Sequence, residues 1–198
     1  MGKKARKERE EKRESFAAKR TRQKRKSMFM TAGVLGIVVV IVGYSAYTFV
    51  NMQGSVPGAP PGAGVLGDDH THTSILVRIF GDKFDFSSPA FQIKSSWIHF
   101  EGQDGDTIHR HSTGVTLGYL FETLGITVNF ECFIFPDGRP FCNSDDYSIK
   151  FFINHEQVSD IAGYVIDEDD KILISYGNES SGEIDAQLLE LDNQLIRR

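Results

Sequence analysis

The sequence predicts an α+β domain, a mixed β-sheet with one packed helix, standing behind a single transmembrane helix. Three observations carry that prediction. Thirteen of the 22 Lys and Arg fall in residues 1–27 beside four Glu, a net +9, and the remaining 9 basic and 23 acidic residues leave −14 for the rest. Between the two blocks lie 23 residues without a charge, Met28 to Val50. Beyond a Gly/Pro-rich stretch, runs with the period of a strand recur on either side of one run with the period of a helix. A length of 198 residues excludes a large multidomain enzyme, two Cys exclude a disulfide-dense miniprotein, and 15 Phe with 40% hydrophobic residues exclude disorder throughout.

Residues 1–27 form the basic tail. Their Lys/Arg excess places the N-terminus in the cytoplasm and everything after Val50 outside. A topology signal accounts for this composition, so nucleic acid is not an expected partner. At 1.5 Å per residue, 28–50 spans a hydrocarbon layer of about 30 Å, with Tyr44, Tyr47 and Phe49 as an interfacial aromatic belt. The run is longer than the apolar core of a signal peptide, and no small-x-small cleavage site follows it. Residues 51–67, rich in Gly and Pro, read as a tether without regular structure.

The extracytoplasmic domain is expected over 68–182. Thr73 to Phe80 reads as a strand, Gly81-Asp82 as a turn and Lys83 to Phe86 as the return; Ile93 to Glu101 and Thr107 to His111 make a second hairpin. Thr116 caps a helix whose Leu117, Leu120, Phe121 and Leu124 share one face, and Gly125 stops it. Strands follow over Ile126 to Phe135, Ile149 to Ile153, Tyr164 to Ile166 and Lys171 to Tyr176, with a turn at Asn154-His155. Residues 183–198 carry Ile184, Leu188, Leu191 and Leu195 at 4-3-4 spacing, an amphipathic helix for packing on its own domain. Its two heptad-like turns, with Ala32 and Gly36 in the apolar span, leave a homodimer open.

Two turns set the chemistry. Phe135-Pro136-Asp137-Gly138 suits a type I turn with a following bulge, a three-residue loop in which paired positions sum to 274. Cys132 then faces Cys142 at a non-hydrogen-bonded position, about 4.5 Å between Cα atoms, close enough for a disulfide. An oxidising exterior favours a structural bond, with a redox-active pair as the alternative. Gly102-Gln103-Asp104-Gly105 repeats the turn signature, and its pairs sum to 208, which sets His99 opposite His109.

Five of the six His lie within 42 residues, as His70 and His72, His99, and His109 and His111. Residues i and i+2 of a strand share a face, so each His-x-His offers both rings to one ion. His99, His109 and His111 are expected to converge as a tris-His set, with His70 and His72 either completing that site or forming another. The chain has no Met after Met52 and both Cys are committed, so Cu²⁺ or Zn²⁺ fits better than Cu⁺. A cluster of imidazoles that repel as they protonate, a pH sensor, is the rival account. His155 is left to its turn, and Asp167 to Asp170 lacks the pattern of a calcium loop.

The function expected is a single-pass membrane protein whose outer domain captures, delivers or senses Cu²⁺ or Zn²⁺ for a membrane or cell-surface partner. The alternatives are a metal-dependent enzyme with Glu101 as general base, and thiol-disulfide exchange. The closing runs FFINHEQV and GYVIDEDDKILISYG look like the last strands of β-grasp domains. The run IHFEGQDGDTIHRHSTGVTLGYLFETLGI, with HTH before it and the paired Cys and ISYG after it, is similar to a group of membrane-anchored archaeal proteins. These often carry the label protein-disulfide isomerase. Over roughly Asp68 to Gly177 the resemblance implies a shared fold and shared metal ligands; the Cys-x-x-Cys that isomerase chemistry uses is absent.

Overall fold

A computed structural model describes residues 2–51 and 58–198. Residues 52–57 of the expected tether and the side chain of Phe49 lie outside the described residues. The chain divides into two compact units, 1–53 and 54–198.

The first unit is one helix, α1 (Gly2–Asn51), in which the basic tail and the uncharged run are continuous. Val34, Ile37, Val39, Val40 and Ile41 are all exposed along it. Among the described residues it is the one helix long and apolar enough to cross a membrane.

In the second unit, β1 (Thr71–Ile79) lies centrally and pairs in parallel with β10 (Lys171–Gly177). On the other edge of β1 run β2 (Asp82–Lys83) and β4 (Thr107–Arg110), and β3 (Ile98–His99) lies outside β4. Beyond β10 come β8 (Ser148–Ile153) and β9 (Glu156–Val158), so the path across the sheet is β3-β4-β1-β10-β8-β9. A smaller sheet holds β5 (Thr127–Val128), β6 (Cys132–Ile134) and β7 (Pro140–Cys142). The architecture is α+β with a mixed sheet.

Each face of the large sheet carries a helix. On one face α2 (Leu117–Thr123), capped by the Thr116 hydroxyl that accepts from the Tyr119 N–H, buries Leu117, Leu120 and Phe121 against Ile75, Val77, Ile108 and Ile174. On the other, α3 (Ser181–Asp192) starts at a Ser180–Glu183 capping box and buries Ile184, Leu188 and Leu191 against Leu76, Phe152 and Leu173. Strand alternation therefore puts Thr73, Ile75 and Val77 of β1 toward α2. His72, Ser74 and Leu76 point to the α3 side.

Several elements differ from the sequence expectation. The run Ile126 to Phe135 is two strands, because the Asn129 carboxamide oxygen accepts from the Glu131 and Cys132 N–H groups and turns the chain between β5 and β6. Tyr164 to Ile166 is no strand; Tyr164 N–H closes a turn on the Ile161 carbonyl and its hydroxyl donates to Asp170 at 2.7 Å. Of Ile93 to Glu101 only Ile98–His99 joins the ladder, since Ile93 N–H donates back to the Phe100 carbonyl. The Asn154-His155 turn is there, with φ of +51° and +72°, and it leads into β9, which sequence pattern did not mark. α3 ends at Asp192 and Leu195 is 85% exposed. The chain leaves the helix there because Ser74 Oγ donates to Gln194 Oε1 at 2.7 Å and Arg197 N–H donates to Thr107 Oγ1 at 3.1 Å, drawing the last residues across the end of the sheet.

The stretch from Gly58 to Gly67 lies against its domain. Pro60 is buried, and Gly64 and Gly67 N–H groups donate to the Thr113 and His111 carbonyls at 2.9 and 2.7 Å. Gly114 makes the approach possible: at φ +72° a Cβ there would stand 2.2 Å from the Gly62 carbonyl oxygen.

Candidate metal centre

The site is built across three adjacent strands. In β1, β4 and β3 the register pairs His72 with His109 and His109 with His99, so the three stand in a row on one face. His70 and His111 extend the row by one side chain in the same direction. Ring centroids are 4.6 Å apart for His70–His72, 4.9 Å for His72–His109, 4.6 Å for His70–His111 and 4.9 Å for His99–His111. All five imidazoles form one cluster, with His70 exposed and His72, His99 and His109 buried.

Within it, one ligand atom each from His70, His72 and His109 come within 4.8 Å of one another. This is a different trio from the expected His99, His109 and His111. The difference lies in strand order: β1 lies directly beside β4, a pairing that local sequence does not encode, and it brings the first His-x-His onto His109. The hairpin register of His99 opposite His109 is as expected, by another turn. Positive φ falls at Gly102 and Gln103, +64° and +58°, and not at Gly105. The Asp104 carboxylate takes up the slack, accepting from Asp106 N–H and Thr107 Oγ1.

Carboxylates hold the rings. Glu168 accepts from the His72 backbone N–H at 2.7 Å and lies 3.4 Å from its Nδ1, leaving Nε2 for an ion. Glu101 places Oε1 3.6 Å from His109 Nδ1, an atom that is buried without a hydrogen-bond partner. Carboxylates behind ligating imidazoles fix ring orientation and raise basicity. Asp69 positions the first pair: it accepts from His70 N–H at 2.8 Å and is ion-paired to buried Arg110 at 2.7 Å. Glu168 had no mark in the sequence beyond an acidic turn; the parallel β1–β10 pair, which sets Asp169 N–H on the His72 carbonyl, delivers it.

Electrostatics favour the unprotonated ligand. Burial holds the His109 imidazole down at about 4, despite the nearby Glu101 charge, and burial also lowers His111. For Glu101, burial pushes upward but the His99 hydrogen bond and the neighbouring His rings outweigh it and keep the carboxyl low.

Cys132 and Cys142 face one another in the β6–β7 hairpin and are joined by a disulfide, Cα atoms 4.1 Å apart. The bond belongs to the small sheet and not to the His cluster.

No protein-family model, curated protein sequence or solved structure matches the chain.

Proposed function

We propose that this protein holds a transition-metal ion, Cu²⁺ or Zn²⁺, on His70, His72 and His109, in a domain that α1 anchors to the outer face of a membrane, and that it captures, delivers or senses that ion. The observation that carries this reading is the convergence of three imidazole ligand atoms within 4.8 Å. Nitrogens about 2.1 Å from a tetrahedral ion lie about 3.4 Å apart, so side-chain movements of about 1 Å close the set. Carboxylates behind His72 and His109, and the net −14 after residue 27, support it by orienting the ligands and drawing cations. The central parallel pair of first and last long strands, with α2 crossing between the outer hairpins, supports a β-grasp fold as the scaffold.

The second reading is metal catalysis. Three protein ligands leave a fourth position for water, and Glu101, its side chain 44% exposed, lies beside it as a base. Thiol-disulfide exchange has weaker support, since the disulfide sits in the small sheet without a Cys-x-x-Cys.

The full chain, purified in detergent without added metal and then titrated with Cu²⁺ or Zn²⁺, tests the proposal by elemental analysis. Bound metal is expected, reduced on His72→Gln with His109→Gln and weakened roughly 10–100-fold on Glu168→Gln. A folded protein indifferent to metal would favour the pH sensor and overturn this reading.

A further inference from the structure

We propose that a second divalent cation binds beside the first, on His99, Glu101 and His111, making the centre dinuclear; this rests on the metal reading above. The argument begins at His99. Its Nδ1 lies 2.7 Å from the Ser95 carbonyl, which can only accept, so Nδ1 carries the hydrogen. Nε2 is then the ring atom left to face outward, and it points at Glu101 Oε2 from 3.2 Å. A ring nitrogen and a carboxylate oxygen at that distance can both face one cation, and His99 is 6% exposed, away from bulk water.

The surrounding charges do not supply one. Asp69 is paired with Arg110, Asp104 with Arg197, Asp106 with Lys83 and Glu168 with Arg198. Glu101 has no such partner among the described residues; its recorded ion-pair contacts are the rings of His99 and His109. An anion set among imidazoles, with Arg110, Arg197, Lys83 and Arg198 engaged elsewhere, is a cation site by composition.

His111 completes the set. Two imidazoles on one tetrahedral ion have ring centroids about 5 Å apart, given nitrogen–metal distances near 2.1 Å. His99 and His111 stand at 4.9 Å, and the His111 backbone is pinned by its N–H to the Trp97 carbonyl at 2.8 Å. Glu101 links the two sets of ligands: Oε2 faces His99 Nε2 while Oε1 lies 3.6 Å from Nδ1 of His109 in the first set. Three protein donors leave the fourth position of a tetrahedral ion to water, and the N/O set suits Cu²⁺ or Zn²⁺.

The test is stoichiometry. The full chain in detergent micelles is loaded with excess Cu²⁺ or Zn²⁺, desalted, and its metal counted against protein. Two ions per chain are expected, falling to one in His99→Gln and, independently, in half-exposed His111→Ala, which keeps the test decisive if His99→Gln does not fold. The two-copper form should show an electron paramagnetic resonance spectrum broadened by spin–spin coupling, and His111→Ala should return that of an isolated Cu²⁺. One ion in the wild type overturns the second site and leaves the first standing. No ion overturns both, and two ions persisting in His111→Ala overturn the ligand assignment.

Discussion

His109 is where the chemistry of single residues concentrates, since it is the middle ring of the row and the link between Glu101 and His72. Burial costs it its proton: it titrates at about 4 in the fold and near the usual 6.5 in the unfolded chain. Between those two values the unfolded chain binds more protons than the folded one, so folding stability rises with pH across that window and falls as pH drops from 6.5 toward 4. His111, shifted down by burial as well, adds to the same slope. In chelator-treated protein, the denaturant midpoint followed by fluorescence of the single Trp97 should therefore decline over pH 6.5 to 4 and stay flat above it. His109→Gln should shallow that decline; an unchanged slope in the variant would mean that the protonation cost lies elsewhere.

At the scale of elements, hairpins carry what was legible. Gly138 at φ +85°, with its N–H on the Phe135 carbonyl, is the bulged turn that Pro136-Asp137-Gly138 asks for, and it sets Cys132 on Cys142 and Pro140 opposite Ile134. Closing a loop of ten residues restricts the unfolded chain, so Cys132→Ser with Cys142→Ser should destabilise the domain by about 2–3 kcal/mol. Metal uptake should survive, because that hairpin belongs to the smaller sheet; loss of metal in a folded variant would contradict the separation. Helices were legible for the same local reason: the Thr116 cap, the Leu117, Leu120 and Phe121 face and the spacing of Ile184, Leu188 and Leu191 are each set within a few residues, while the Ser180–Glu183 box that starts α3 came only with the structure. What escaped is non-local. Glu168 meets His72 across 96 residues only because β10 runs parallel to β1, and Leu195 leaves its helical face because Ser74 and Thr107 capture the chain beyond Asp192. The five histidines could be named from spacing, but which three converge was decided by the placing of β1 against β4.

For the whole molecule, the consequence of greatest reach is sidedness. A helix of 50 residues is about 75 Å long, more than twice the hydrocarbon thickness, so on the proposed anchoring a bilayer would take only the Met28–Val50 stretch and the +9 segment would extend as a charged rod from one side. Lys19, Arg20, Arg22, Lys24, Arg25 and Lys26 lie within ten residues of the apolar run, where basic residues weigh most in orienting a span. In the membrane-anchored reading proposed above, they would hold the N-terminus in the cytoplasm and send the −14 remainder, with its disulfide and its His row, to the side where thiols stay oxidised and metal ions arrive from outside. Protease added to intact cells should then digest the domain and spare the basic tail. Replacing those six residues with Gln should leave part of the population inverted, with the domain protected and its two Cys reduced. A wild-type domain that resists external protease until the cells are lysed would place the His cluster in the cytoplasm, and capture of metal from outside would no longer follow from the anchor.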